Sequence, residues 1–316
     1  SIAYGISMTN FGTSMSSTTF QSNTFDIDSG SSYAAGIDLD NSGSLMSSNT
    51  FQSNTFDIDS TGSYAYGIYL FNAGASNTNT FYNETINTTS TASASDFRAY
   101  GIYLYNLDSS IISSIIVNAT AESALASDIY LTNGASNNVF SNSTLLGKNW
   151  SVYVPIGGGT GNIFTNVSYS EEEFIDSGAD LTRKWYYQAH VNDTNKNNVS
   201  NANVSIHLNN NSLLTTLITD LSGNTAIYEI TEYTNNGGTK TYYTPYTITA
   251  INNTAVGFHR DYNITLSALD IITIDVGYPQ ISFASNTDSG TLGKDSIFIN
   301  VSTTDISNIS TFIDFD

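Results

Sequence analysis

Six aspartates occur as three Asp-x-Asp pairs, each followed closely by glycine: Asp26-Ile27-Asp28-Ser29-Gly30, Asp38-Leu39-Asp40-Asn41-Ser42-Gly43 and Asp57-Ile58-Asp59-Ser60-Thr61-Gly62. Oxygen-rich turns with glycine suit Ca²⁺, a hard cation that takes carboxylate and carbonyl ligands. The alternative is a set of solvated turn acids. The choice depends on whether Asp26 stacks on Asp57 and Asp28 on Asp59, because like charges about 5 Å apart need screening or a counter-ion.

Acid–base catalysis needs a base, an acid and a way to bring them together. Residues 1–176 hold one arginine, Arg98, one lysine, Lys148, and no histidine. His190, His207 and His259 are scattered through the second half and show no metal-ligand spacing. Ser and Thr abound, but a nucleophile needs an adjacent base. The chain has no cysteine, so neither a thiolate site nor a disulfide is available. No phosphate-loop, dinucleotide or zinc pattern occurs. The expectation is a protein that is not an enzyme.

Two further residue sets carry chemistry. Fourteen asparagines open N-x-S/T acceptor motifs for N-linked glycans: Asn83, Asn87, Asn118, Asn142, Asn149, Asn166, Asn192, Asn198, Asn203, Asn210, Asn252, Asn263, Asn300 and Asn308. None falls in residues 1–82, although asparagine is common there. Tyr66, Tyr69, Tyr100, Tyr103, Tyr130 and Tyr153 recur at matched repeat positions and are expected to form an outward aromatic strip. Such a strip can stack on sugars or pack against a neighbouring subunit.

The elements that must position these residues are repeats. Residues 1–31 and 32–62 align without a gap and agree at 20 of 31 positions. Gly5-Ile6, Gly36-Ile37, Gly67-Ile68, Gly101-Ile102, Asp128-Ile129 and Ser151-Val152 open successive copies. From each opening, apolar residues alternate with period two, as in a strand with one buried face. Asn10, Asn41, Asn72, Asn106 and Asn133 follow four residues past the first five openings, where asparagine can ladder along a stack or turn a corner. Phe20, Phe51, Phe81, Phe140 and Phe164 form a second column, and Phe25, Phe56 and Ile86 a third. Three inward columns per copy imply three sheets wound into a parallel β-helix.

At these residues the chain resembles the right-handed parallel β-helix superfamily of pectate-lyase-like enzymes and surface proteins, over residues 1–176. That resemblance raises a lyase or hydrolase as a third functional option. After a composition shift near Ser177-Gly178, short alternating strands and turns suggest a β-sandwich over 177–277. Val191-Asn-Asp193-Thr-Asn-Lys196 through Ala202-Asn-Val204-Ser-Ile206, then Thr219-Asp220-Leu-Ser-Gly223, is similar to carboxypeptidase-regulatory-like and other Ig-like modules. Lys196-Asn197-Asn198 stands where that pattern has glycine and proline. Residues 278–316 read as the start of a further β domain, incomplete or completed by another chain. A β-helix, Arg183-Lys184-Trp185-Tyr186 and such a module together resemble the layout of archaeal cell-surface proteins.

Composition fits an all-β surface protein. There are 28 acidic residues against 8 Lys and Arg, a formal charge of −20, which disfavours nucleic acid and anionic membrane as partners. Only 11% of residues are charged, so Ser, Thr and Asn must supply the polar surface. No run of 18 apolar residues offers a membrane-spanning helix. Ser1 falls inside a repeat, so a leader or further coils are expected upstream. The expected role is a glycosylated structural subunit at the extracellular cell surface, in a filament, appendage or S-layer-like coat, with copies of itself as partners. The alternative is an adhesin that binds surface polysaccharide.

Overall fold

The computed structural model describes residues 2–12, 14–30, 33–43, 45–76, 78–91, 98–122 and 125–275, with the short strands Ser282–Phe283 and Val301–Ser302. No described residue is helical, and 66% of the chain is strand. Among the described residues no helix is long and apolar enough to cross a membrane. Two compact units emerge: one of Ser1–Tyr187, Tyr228–Thr244 and Asn263–Ala268, the other of Gln188–Ile227, Pro245–Tyr262 and Leu269–Asp316.

The first unit is a parallel β-solenoid. Its first sheet stacks seven strands in order: Ile2–Asn10, Tyr33–Asn41, Tyr64–Asn72, Arg98–Tyr105, Ala126–Thr132, Trp150–Val154 and Glu173–Ile175. The register is the one that the repeats dictate. Ile6 lies on Ile37, Ile37 on Ile68, Ile68 on Ile102, Ile102 on Ile129 and Ile129 on Val152. From Ile37 onward this aliphatic column is wholly buried, as is the leucine column two residues further on. The phenylalanine column also holds, with Phe20, Phe51 and Phe81 stacked at 5.1 and 4.5 Å between ring centroids. Ile112 continues it between Phe81 and Phe140. A small second sheet pairs Ser14–Ser16, Leu45–Ser47 and Ala75–Ser76.

The repeated glycine at each opening has a steric cause. A Cβ on Gly36 would overlap the Phe56 ring, and one on Gly101 would overlap Val117. The third inward column therefore occupies the space that a side chain would take. In the fifth copy the arrangement is exchanged: Asp128 replaces the glycine, and Gly147 opposite has no room for a Cβ beside the Asp128 carboxylate.

The parallel ladder continues past the composition shift at Ser177, because Asn162–Tyr169 pairs with the strand Asp180–Asp193 as far as Lys184. That strand then pairs antiparallel with Tyr228–Asn236, which turns at Gly237-Gly238 into Thr239–Tyr242. The hairpin thus belongs to the solenoid unit. Glu173 holds it there: its buried carboxylate accepts hydrogen bonds from the Tyr233 hydroxyl (2.8 Å) and the Asn235 amide (3.2 Å), and pairs with Lys240 at 3.1 Å. Trp185 Nε1 donates to Glu232 at 2.6 Å, and the Arg183 guanidinium lies 4.2 Å from the Tyr169 ring centre.

The second unit contains a four-stranded antiparallel sheet in the order Leu213–Ile218, Asn203–His207, Tyr246–Asn252, Ala255–Tyr262. Val204, Ile206, Ile248 and Ala250 are buried, with alternate residues outward. Asp193 and Asp220 each close a turn. Asp193 Oδ1 accepts from the amides of Asn195 and Asn197, and Asp220 Oδ1 from those of Ser222 and Asn224. Lys196 adopts a left-handed φ of 67°, a conformation that glycine takes more readily. The strands expected within residues 278–316 lie outside the described residues, apart from the antiparallel pair Ser282–Phe283 and Val301–Ser302.

Candidate functional site

The tyrosine set is the densest feature on the first sheet. Tyr69, Tyr103, Tyr130, Tyr153 and Phe174 stack along the sheet with ring centroids 5.0, 4.8, 5.3 and 4.6 Å apart. Beside them run Tyr33, Tyr66 and Tyr100, each 5.2 Å from the next. The two columns interlock edge to face, for example Tyr66 against Tyr103 at 5.6 Å. The strip forms a cluster separate from the interior core and is more covered than its outward placement suggests: Tyr66, Tyr100 and Tyr130 are buried, and Tyr69, Tyr103 and Tyr153 half-buried. The cause is the rung spacing, which lets neighbouring rings cover one another's faces. Burial pushes the Tyr69 phenol up to about 12, helped by Asp38 and Asp40. Arg98 donates to the Tyr100 hydroxyl at 3.1 Å, so this guanidinium is tied into the ladder.

The paired aspartates do stack. Asp26 lies opposite Asp57 and Asp28 opposite Asp59, all four exposed on the outer face of the same parallel strands. Asp38 and Asp40 sit on the first sheet instead, where Asp38 is buried and accepts a hydrogen bond from the Tyr33 hydroxyl at 3.1 Å. Burial raises the Asp38 carboxyl above its ordinary range. The six acids therefore divide between two faces. Among the described residues no group of three or more His, Asp and Glu is placed to hold a metal ion. The histidines are also engaged separately: His190 with Asn224 at 2.9 Å and His259 with Asp270 at 2.8 Å.

Asparagine ladders are more extensive than the sequence suggested. Asn10 donates to Asn41 at 2.7 Å and Asn41 to Asn72 at 2.8 Å. The same column then changes use, because Asn106 and Asn133 turn corners at φ of 52° and 51°. A second ladder precedes the phenylalanine column. Asn49 accepts from the Thr18 amide, donates to Met15 O and to Asn79, and is buried throughout. Asn138 and Asn162 repeat the arrangement two copies later. The signal was present as Asn-x-Phe at 49–51, 79–81, 138–140 and 162–164. A third runs from Asn23 to Asn54 and ends on a carboxylate, Glu84, which accepts from the Asn54 amide and side chain at 3.1 Å each. Burial pushes Glu84 up to about 7 against those hydrogen bonds. Burial likewise pushes Asp128 up to about 7, opposed by the Gly147 and Ala119 amides that donate to it.

The acceptor asparagines are placed very differently from one another. Asn83, Asn142, Asn149, Asn198, Asn203, Asn210 and Asn263 are exposed, whereas Asn87, Asn118, Asn166 and Asn252 are half-buried. Asn192 is buried and accepts from the Thr273 hydroxyl. Asn300 and Asn308 lie outside the described residues. Asn83, Asn142 and Asn166 share one left-handed corner with Ser22, Ser53 and Ser114, all at φ between 49° and 59°. Lys148 lines an open cleft of about 840 Å³ with Thr89, Thr120, Glu122, Asn149 and Glu171.

The chain matches no protein-family profile, no curated protein and no solved structure.

Proposed function

We propose that the chain is a non-enzymatic structural subunit of a glycosylated extracellular surface assembly. The supporting observation is how the repeated positions are used. Tyrosine faces cover tyrosine faces, asparagine amides bond to asparagine amides, and aliphatic columns fill the interior. Each repeated column is thus taken up by axial contact with its own next copy, which is what a stiff rod requires. A sugar that stacks on an aromatic residue needs an uncovered ring face. In this ladder those faces are occupied by the next ring, which favours a structural use over an adhesive one.

We further infer that the solenoid is right-handed and that the module after it is Ig-like. The handedness follows the resemblance of its columns to that superfamily. The Ig-like assignment is supported by the Asp193 and Asp220 turns and by the left-handed Lys196, which reproduces the backbone of the usual glycine.

The double variant Tyr103→Ser/Tyr130→Ser separates the two uses. A structural ladder predicts a loss of several kcal/mol of stability, since each ring is stacked on both sides. It also predicts no measurable retention of the wild-type chain on a panel of surface polysaccharides. Polysaccharide binding that the variant abolishes without loss of stability would instead assign an adhesin.

A further inference from the structure

We propose that Asn203 carries an N-linked glycan whose first sugars lie over Ile218 and Ile251. This builds on the extracellular, glycosylated reading above. Asn203 is exposed, opens the motif Asn203-Val204-Ser205, and starts a strand with a paired neighbour on each side. The register places Ile218 directly opposite on one neighbour and Ile251 directly opposite on the other. Cross-strand partners share a face, so the asparagine stands between two aliphatic residues on the outer side. Val204 and Ile206, on the inner side, are buried.

That outer row is unusually apolar. Ile218 is 62% exposed and Ile251 41%. Phe258, opposite Thr249 two residues along the same face, is 56% exposed. Contiguous exposed apolar residues mark a surface that something covers. Here the acceptor amide sits in the middle of the row. Cβ atoms of directly opposed residues are about 4.5–5.5 Å apart, so a sugar linked to Asn203 Nδ2 begins within contact of both isoleucines. The C–H face of a pyranose can lie on the aliphatic carbons while its hydroxyls remain in water. Three neighbouring acceptors of the same unit are placed differently: Asn192 is buried, Asn252 donates to Ser200 O, and Asn210 Oδ1 accepts from Ser212 within its own turn.

The test is glycopeptide mass spectrometry on protein from its native cells, together with Asn203→Gln and Asn210→Gln variants. The expected result is a glycan on Asn203, a several-fold rise in hydrophobic-dye binding in Asn203→Gln, and no rise in Asn210→Gln. Glycans elsewhere with Asn203 bare would overturn this proposal and leave the glycoprotein reading standing. A bare polypeptide throughout would overturn both. An occupied Asn203 whose removal leaves dye binding unchanged would overturn the covering role. A bare Asn203 with self-association abolished by Ile218→Asn would give this face to a second copy of the chain.

Discussion

Single positions in the solenoid are constrained by what lies one rung away. Gly101 has Val117 and the Asp128 carbonyl where a Cβ would project. Gly101→Ala is therefore expected to cost about 1–3 kcal/mol through overpacking, measured by urea denaturation. An unchanged midpoint would show that the rungs are spaced more loosely. Glu84 and Asp128 impose a pH dependence of definite sign. Both carboxyls are pushed up to about 7 by burial, above their ordinary values of 4.5 and 3.8. Their neutral forms are favoured in the folded state. Their contribution to stability is complete below about pH 4 and is lost as pH rises through about 7. The melting temperature should thus fall between pH 5 and pH 8, and Glu84→Gln should flatten that slope. A melting temperature that rises across this interval would contradict the assignment.

At the scale of elements, ladders hold the turns in register. The buried Asn49 side chain makes three hydrogen bonds, two to neighbouring rungs through its amide nitrogen and one from the Thr18 backbone. Asn49→Ala strands those partners and is expected to cost about 2–4 kcal/mol, read from chemical unfolding. A cost below about 1 kcal/mol would mean that the ladder follows from the fold without stabilising it. Much of this scale was legible in the sequence. The 31-residue spacing of the first three openings and the shared opening pattern of the later ones fix which side chains stack, and period-two alternation fixes which face is inward. The hairpin Tyr228–Tyr242 was not, because its place in the solenoid unit depends on Glu173 meeting Tyr233 and Asn235, some 60 residues apart. Glu84 was missed for a related reason: a carboxylate replaces asparagine in its column, so the repeat pattern hides it. Both tyrosine columns were legible in the sequence, but alternation along single strands does not show how far rings of adjacent columns cover one another edge to face.

For the whole molecule, the formal charge of −20 on 316 residues is a long-range repulsion that the fold must offset. The stacked pairs Asp26–Asp57 and Asp28–Asp59 place part of that charge in water on one face of the solenoid. Exposed acids held by rung spacing repel one another, and salt screens them. Against that background, the repeated aromatic, amide and aliphatic columns supply the cohesion. In the function proposed above, these columns serve architecture in an extracellular assembly. Electron cryo-microscopy of material isolated from the native cell surface tests it most directly. The expected result is ordered assemblies in which this chain is a repeating subunit, with a spacing of about 4.8 Å along the stacked strands. Dispersed single chains at the surface, active on or bound to polysaccharide, would contradict it.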